Sequence, residues 1–241
     1  MLACFITEIS KLRRSLALLL CAAAPTMVAV LALVMLMDRD RPSNWAMFSI
    51  NVSAMWSFFM LPMTVTALTV LVAQLEHGPK FWNHLMALPV PRWRIFAAKA
   101  LVVVLLVAAM TLGLILLIPV AGTVAEALAS GTQLRGSYDM AANAKLLATM
   151  FAGSLLLIAI QLWAALRFRS FVPPLVIGIG GTFVAVAATG SRQGAFFPWL
   201  IPTNALATNP ARADMAISIG LWGGLALLLL MLVQLSRREV A

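Results

Sequence analysis

Six apolar blocks without a single Asp, Glu, Lys, Arg or His constrain this chain more than anything else in it. They cover approximately residues 16–37, 48–75, 100–121, 146–166, 171–189 and 215–235. A membrane-spanning helix needs ~20 mostly apolar residues, and the backbone of each span must pair its own polar groups where no water reaches. With 63% hydrophobic and 10% charged residues, the chain cannot cover itself with polar surface, since a soluble domain carries about 25% charged residues. The expected fold class is all-α: a polytopic membrane protein with six transmembrane helices, forming one transmembrane domain over residues 1–241.

The basic residues set the orientation. A net charge of +9 on a soluble protein would point to nucleic acid. Here the cations lie between apolar blocks, where they fix the topology, so no nucleic-acid partner is expected. With six spans, one side holds Lys11, Arg13, Arg14, Lys80, Arg92, Arg94, Lys99, Arg167, Arg169, Arg237 and Arg238. The other holds Arg39, Arg41, Arg135, Lys145, Arg192 and Arg212. Eleven against six places both termini in the cytoplasm. A cleaved signal peptide is not expected. The first apolar run has 22 residues, against ~7–15 for a signal h-region, and no small-residue cleavage pattern precedes Asp38.

Residues 1–15 carry Leu2, Phe5, Ile6, Ile9 and Leu12 at spacings of three and four, with Glu8, Lys11 and Arg14 on other faces. This pattern predicts an amphipathic helix at the cytoplasmic interface, with a frayed basic tail as the alternative. Three segments fall outside the cell. Residues 38–47 make a short charged link and 122–145 a longer loop of small residues. Residues 190–212 hold Phe196, Phe197 and Trp199 among Pro198, Pro202 and Pro210, too broken to span. This last segment reads as a re-entrant or interfacial element, or as an ordinary loop anchored at headgroup level by its aromatic residues.

Chemistry is sparse. No phosphate-binding Gly-x-x-x-x-Gly-Lys-Ser/Thr loop and no His-Glu-x-x-His occurs. No nucleophile and base can be paired, because both histidines, His77 and His84, lie between the second and third blocks. No metal site and no cofactor is expected in the chain, and Cys4 and Cys21 make no disulfide framework. Carriers coupled to protons or ions use ionisable groups inside the membrane, and these blocks have none. Polar residues within the blocks, Asn51, Thr64 and Gln161 among them, line a pathway or join helices. Gly220 and Gly224 form a Gly-x-x-x-Gly pair, and Gly178, Gly181, Thr182 and Ala185 form further small-residue pairs suited to close helix contact.

Energy for transport therefore has one evident entrance, the cytoplasmic stretch 76–99. Gly78-Pro79 breaks the second span, Pro89 and Pro91 close the segment, and Phe81, Leu85 and Leu88 recur at helical spacing with Trp82 beside them. Lys80 and His84 take another face. A short amphipathic helix over about 79–88 is predicted, either a docking element or a plain connector anchored by Trp82 and Trp93. Arg92 and Arg94 sit at the interface, and Lys99 is expected to snorkel from the start of the third span.

On these residues the chain resembles a permease subunit of the ABC-2 type of ABC transporters. The resemblance rests on Glu8-x-x-Lys11-x-x-Arg14 before the first span and on Glu76 ending the second. It rests also on Trp82, Leu85, Pro89-Val90-x-Arg92 and Lys99, and on the broken aromatic segment before the last span. Size and layout are similar to the small permeases of peptide-antibiotic (lantibiotic-type) immunity and drug-export systems of the bacterial inner membrane. The resemblance implies a coupling helix in the loop after the second span, docking on a separate ATP-binding subunit that holds ATP and Mg. Glu76, His77, Lys80, Phe81, Trp82, His84, Leu85 and Arg92 would transmit its closure, with Glu76 foremost. It further implies a second permease, identical or related, with the pathway between the two bundles and an antimicrobial peptide, drug or other amphiphile as cargo. A self-contained carrier or channel and a non-transporting scaffold are the alternatives.

Overall fold

The computed structural model describes residues 2–12, 15–38, 43–77, 91–128 and 134–237, with the backbone alone at 2, 3, 43, 76, 77 and 192. Helices Leu16–Met37, Trp45–Leu75, Arg92–Leu128, Met140–Arg167 and Pro210–Ser236 are each long and apolar enough to cross a membrane. Val172–Ala188 is equally apolar but has 17 residues. At ~1.5 Å per residue it is about 26 Å long, slightly under a ~30 Å hydrocarbon core.

Side chains and prolines start the helices where the apolar runs begin. Asn44 Oδ1 accepts from the Met47 N–H at 2.6 Å, and Asp139 Oδ1 accepts from the Ala142 N–H at 2.9 Å. Each satisfies a backbone donor that the first turn leaves orphaned. Prolines occupy the first positions of Val172–Ala188 and Pro210–Ser218, where the missing N–H costs nothing.

Three contacts fix how the helices run. Ser53 approaches Asn143 at 3.5 Å near the starts of their helices, and Ser43–Asn44 pairs in parallel with Leu134–Arg135. At the other end Trp163 Nε1 donates to Gln234 Oε1 at 2.9 Å, late in both helices. The helices that start at Trp45, Met140 and Pro210 thus run in one direction, and those that start at Leu16 and Arg92 in the other. The end bearing Leu2–Leu12 and Ser236 is termed basal here, and the end bearing Trp45, Asn143 and Pro210 apical. Between them lies a core of large apolar residues, Leu61, Leu68, Val107, Leu114, Leu157 and Ile158, each with no exposed surface. The outward faces, including Leu112, Leu116, Phe183, Leu229 and Leu230, are apolar as well. Such an exterior suits lipid, not water.

The helices differ from the expected blocks at their ends. Arg92–Leu128 begins eight residues before 100 and continues past 121, so the small-residue stretch to Leu128 is helical. Glu126 then accepts from the Leu134 N–H at 2.9 Å. Polarity marks where lipid ends and does not by itself stop a helix, and this one runs on through Pro119 and Gly122. Two helices also contain π-helical turns, Trp56–Met60 and Ile219–Gly223. Such a turn adds a residue and rotates the faces that follow. The first buries Trp56 and Ser57 and the second brings Gly220 inward.

Candidate functional site

The most polar buried arrangement lies at the basal end. Glu8, in helix Leu2–Leu12, is 5% exposed and receives Lys99 Nζ at 2.8 Å on one oxygen and Lys11 Nζ at 2.7 Å on the other. The Lys99 side chain is fully buried, whereas Lys11 remains 21% exposed. Lys99 therefore does not snorkel to the interface. It points into the bundle and ties the N-terminal helix to the root of Arg92–Leu128. The N-terminal helix is turned accordingly, with Glu8 and Leu12 inward, Phe5 packed at the edge of the core and Ile6 and Ile9 exposed, so the apolar stripe is split between the bundle and the outer face. Burial by itself would push the Glu8 carboxyl up. The Lys99 and Lys11 ammoniums, acting through charge and hydrogen bonds, outweigh it and hold the carboxyl below its ordinary value.

The pair could have been found from periodicity. Ile95, Phe96, Lys99, Val102, Val103, Val107 and Met110 are all buried, and they repeat at three and four residues. Lys99 is in register with this inward stripe. Its position beside an apolar block made it read as a boundary residue instead.

The expected coupling residues fall around a gap. Glu76 and His77 lie in the last turn of Leu61–His77, and their side chains are outside the described residues. Lys80, Phe81, Trp82, His84 and Leu85, with the whole predicted helix over 79–88, also lie outside them. Arg92 opens the next helix, following Pro91, whose carbonyl accepts the Arg94 N–H at 2.9 Å. The Arg94 guanidinium sits 5.6 Å from the centre of the Trp93 ring. His77 and Pro91 thus bracket the segment at the same end as Glu8 and Lys99.

Inside the bundle most hydroxyls bond their own helix. Thr64 donates to the Met60 carbonyl at 2.7 Å, Thr66 to Pro62 at 2.8 Å, Thr69 to Val65 at 2.9 Å and Thr111 to Val107 at 3.0 Å. These groups are satisfied locally and leave few donors to reach across. Gln161 is different. It is fully buried, and the amide orientation that satisfies both its ends donates to Pro174 O at 3.2 Å and accepts from Gly178 N–H at 3.0 Å. It therefore bridges two backbone groups four residues apart on the neighbouring helix. Asn51 is exposed, beside a groove lined by Met35, Leu36, Phe48 and Met55.

Glycines let other helices touch. A Cβ on Gly220 would collide with the Gly153 carbonyl, and one on Gly224 would meet the backbone of Leu155. Both contacts join the last helix to Met140–Arg167 of the same chain. At the apical end Gly181 makes a slot for the Trp199 ring. Trp199 is 6% exposed, stacks on Phe197 at 5.4 Å, and donates its Nε1–H to Gly178 O at 3.2 Å. Trp199 is therefore a wedge within the bundle and not a headgroup-level anchor. Phe196, at 56% exposed, keeps the outward position.

This is a multi-pass membrane component in which, among the described residues, the buried Glu8–Lys99 pair lies at one end and the Trp199 wedge at the other. The chain matches the model of a family described as ABC-2 family transporter protein over residues 4–185. It belongs to that family, whose membrane component transports and is not itself catalytic. The matched region contains Glu8, Lys99, Gln161 and Gly181, and it ends before the apical segment and the last helix. No curated protein and no solved structure matches the chain.

Proposed function

We propose that this chain is the permease subunit of an ATP-driven exporter of the bacterial inner membrane. In this reading Val172–Ala188 is a sixth span, the basal end faces the cytoplasm, and the apical segment 190–212 forms an interfacial or re-entrant cap. A separate ATP-binding subunit holds ATP and Mg and docks on the segment between His77 and Arg92. A second permease completes the transporter, and an antimicrobial peptide, drug or other amphiphile is its cargo.

The supporting observation is the Glu8–Lys99 tie. It fastens the N-terminal helix to the root of the helix that emerges from the docking segment. A push on that segment is thus delivered to two elements at once, through a buried charged contact that resists separation. Removing one partner of such a pair leaves a buried charge uncompensated, at a cost of about 3–5 kcal/mol. Rigid elements joined in this way move together.

The test is reconstitution of the chain with an ATP-binding subunit that co-purifies with it. Glu76→Ala, His84→Ala and Arg92→Ala together are expected to abolish stimulation of ATP hydrolysis by cargo, with both subunits still folded. Undiminished stimulation would remove the docking assignment. Solute flux through the chain alone in liposomes, without nucleotide, would overturn the proposal in favour of a self-contained carrier.

A further inference from the structure

The two flanks of the segment between His77 and Arg92 are built differently. Arg92–Leu128 runs from the basal to the apical end as one α-helix, and Lys99 pins its root to Glu8 at 2.8 Å. The opposite flank, Leu61–His77, hangs from the π-helical turn Trp56–Met60, about half-way along Trp45–Leu75.

The sequence explains the turn. Pro62 has no N–H to return to Phe58, four residues back, and its ring would crowd that carbonyl in a regular α-helix. The wider turn takes up the misfit, with the Leu61 N–H reaching back five residues to Trp56 O. A deficit remains at this level. A helical carbonyl is served from four or five residues on. For Ser57 these are Leu61, already paired with Trp56, and Pro62, which has no donor. With hydrogen bonding along the axis reduced, this is where the helix bends most easily. Sharp kinks, beyond about 20°, gather at π-turns and prolines.

Basal to the turn, among the described residues, no hydrogen bond or ion pair crosses from 61–75 to another helix. Thr64, Thr66 and Thr69 all bond their own backbone. The close contact of Thr66 with Gly178 lies within about two turns of Met60, where a swing displaces it least. The last helix makes the contrast. It also has a π-turn, Ile219–Gly223, but Gly220 and Gly224 clasp the backbone of Met140–Arg167 there, and Trp163 holds Gln234 further along at 2.9 Å. That joint is pinned, and the joint at Pro62 is not.

We infer that Trp56–Met60 is a hinge, through which Leu61–His77 swings against the rigid unit of Arg92–Leu128 and the N-terminal helix. The hinge is a property of the chain itself. That a push on the segment between His77 and Arg92 drives it rests on the docking reading above. A bend of about 20° on an arm of about 20 Å, the length from Met60 to Gln74, moves the basal end by about 7 Å.

The test uses the full chain in lipid nanodiscs without any ATP-binding subunit, so that failure of the docking reading leaves it untouched. In a background without Cys4 and Cys21, spin labels are placed on Gln74→Cys and Leu101→Cys in the basal half, and on Ile50→Cys and Leu116→Cys in the apical half. The distance distribution of the basal pair is expected to be wider than that of the apical pair by about 5–7 Å. Deleting Phe59, which is 46% exposed, together with Pro62→Ala takes out the extra residue of the turn and restores the missing donor, closing it to an α-helix. The basal distribution should then narrow to the width of the apical one. If the deletion does not fold, Pro62→Ala alone decides, and a basal excess reduced by about half supports the hinge. The inference is overturned if the basal pair is no wider than the apical pair, or if the folded variants keep the wild-type spread.

Discussion

The two ends of the bundle are built by different physics. At the basal end Lys99, fully buried, meets a carboxylate 5% exposed. At the apical end Trp199 fills a slot that Gly181 leaves open and donates a neutral hydrogen bond. Dispersion and shape at the apical end fall away within a fraction of an ångström of misfit. Charge at the basal end is strong only while both signs remain in place. The apical end is thus specified by volume and the basal end by charge, and mutations should separate them.

The largest expected effect is basal. Glu8→Ala removes the carboxylate that Lys99 and Lys11 share and is expected to destabilise by about 3–5 kcal/mol. A melting curve in detergent checks it. Lys11→Ala, on the exposed side of the same carboxylate, should cost about 1 kcal/mol or less. Next comes Gly181→Leu, which forces the Trp199 ring out of its slot at about 1–3 kcal/mol. The accompanying change is a red shift in tryptophan fluorescence, which Glu8→Ala should not produce. Smaller again is Gln161→Leu. It removes an interhelical amide bridge but lets Pro174 O and Gly178 N–H pair with each other, so about 1 kcal/mol is expected.

Acid should break the basal tie. The Glu8 carboxyl is held below its ordinary value. Its contribution is complete above the value it has in the unfolded chain and is lost as pH falls through the lowered folded value. Stability measured on descending pH should therefore drop below the ordinary carboxylate range. Glu8→Gln should be less stable at neutral pH and flatter in that acid limb. An identical acid limb in Glu8→Gln would assign the loss to other carboxylates.

The sequence made much of the architecture legible because lipid imposes a simple rule on every span. Length and apolarity alone locate the long helices. Their ends were less legible. Arg92 and Glu126 look like loop residues by polarity, yet both are helical, since nothing between 92 and 99 or 122 and 128 opposes the helix but a single Gly122 packed on Trp45. Lys99 was misread for a related reason: a charge next to an apolar run signals a boundary unless its helical register is followed. Trp199 could not be placed at all from its own segment. Its slot is made by Gly181, eighteen residues away, and by a fold that brings the two together. The two-residue pairing of Ser43–Asn44 with Leu134–Arg135 is equally tertiary, because no strand pattern exists in so short a stretch.

The contrast between the two ends is tested most directly by a double-mutant cycle on Glu8→Leu and Lys99→Met, read as unfolding free energy in detergent. The charge-based account predicts that each single variant is strongly destabilised and that the double variant recovers most of the loss, with a coupling above about 2 kcal/mol. Losses that add to within about 0.5 kcal/mol would contradict it, and would show that Glu8 and Lys99 are each held at the basal end by something other than one another.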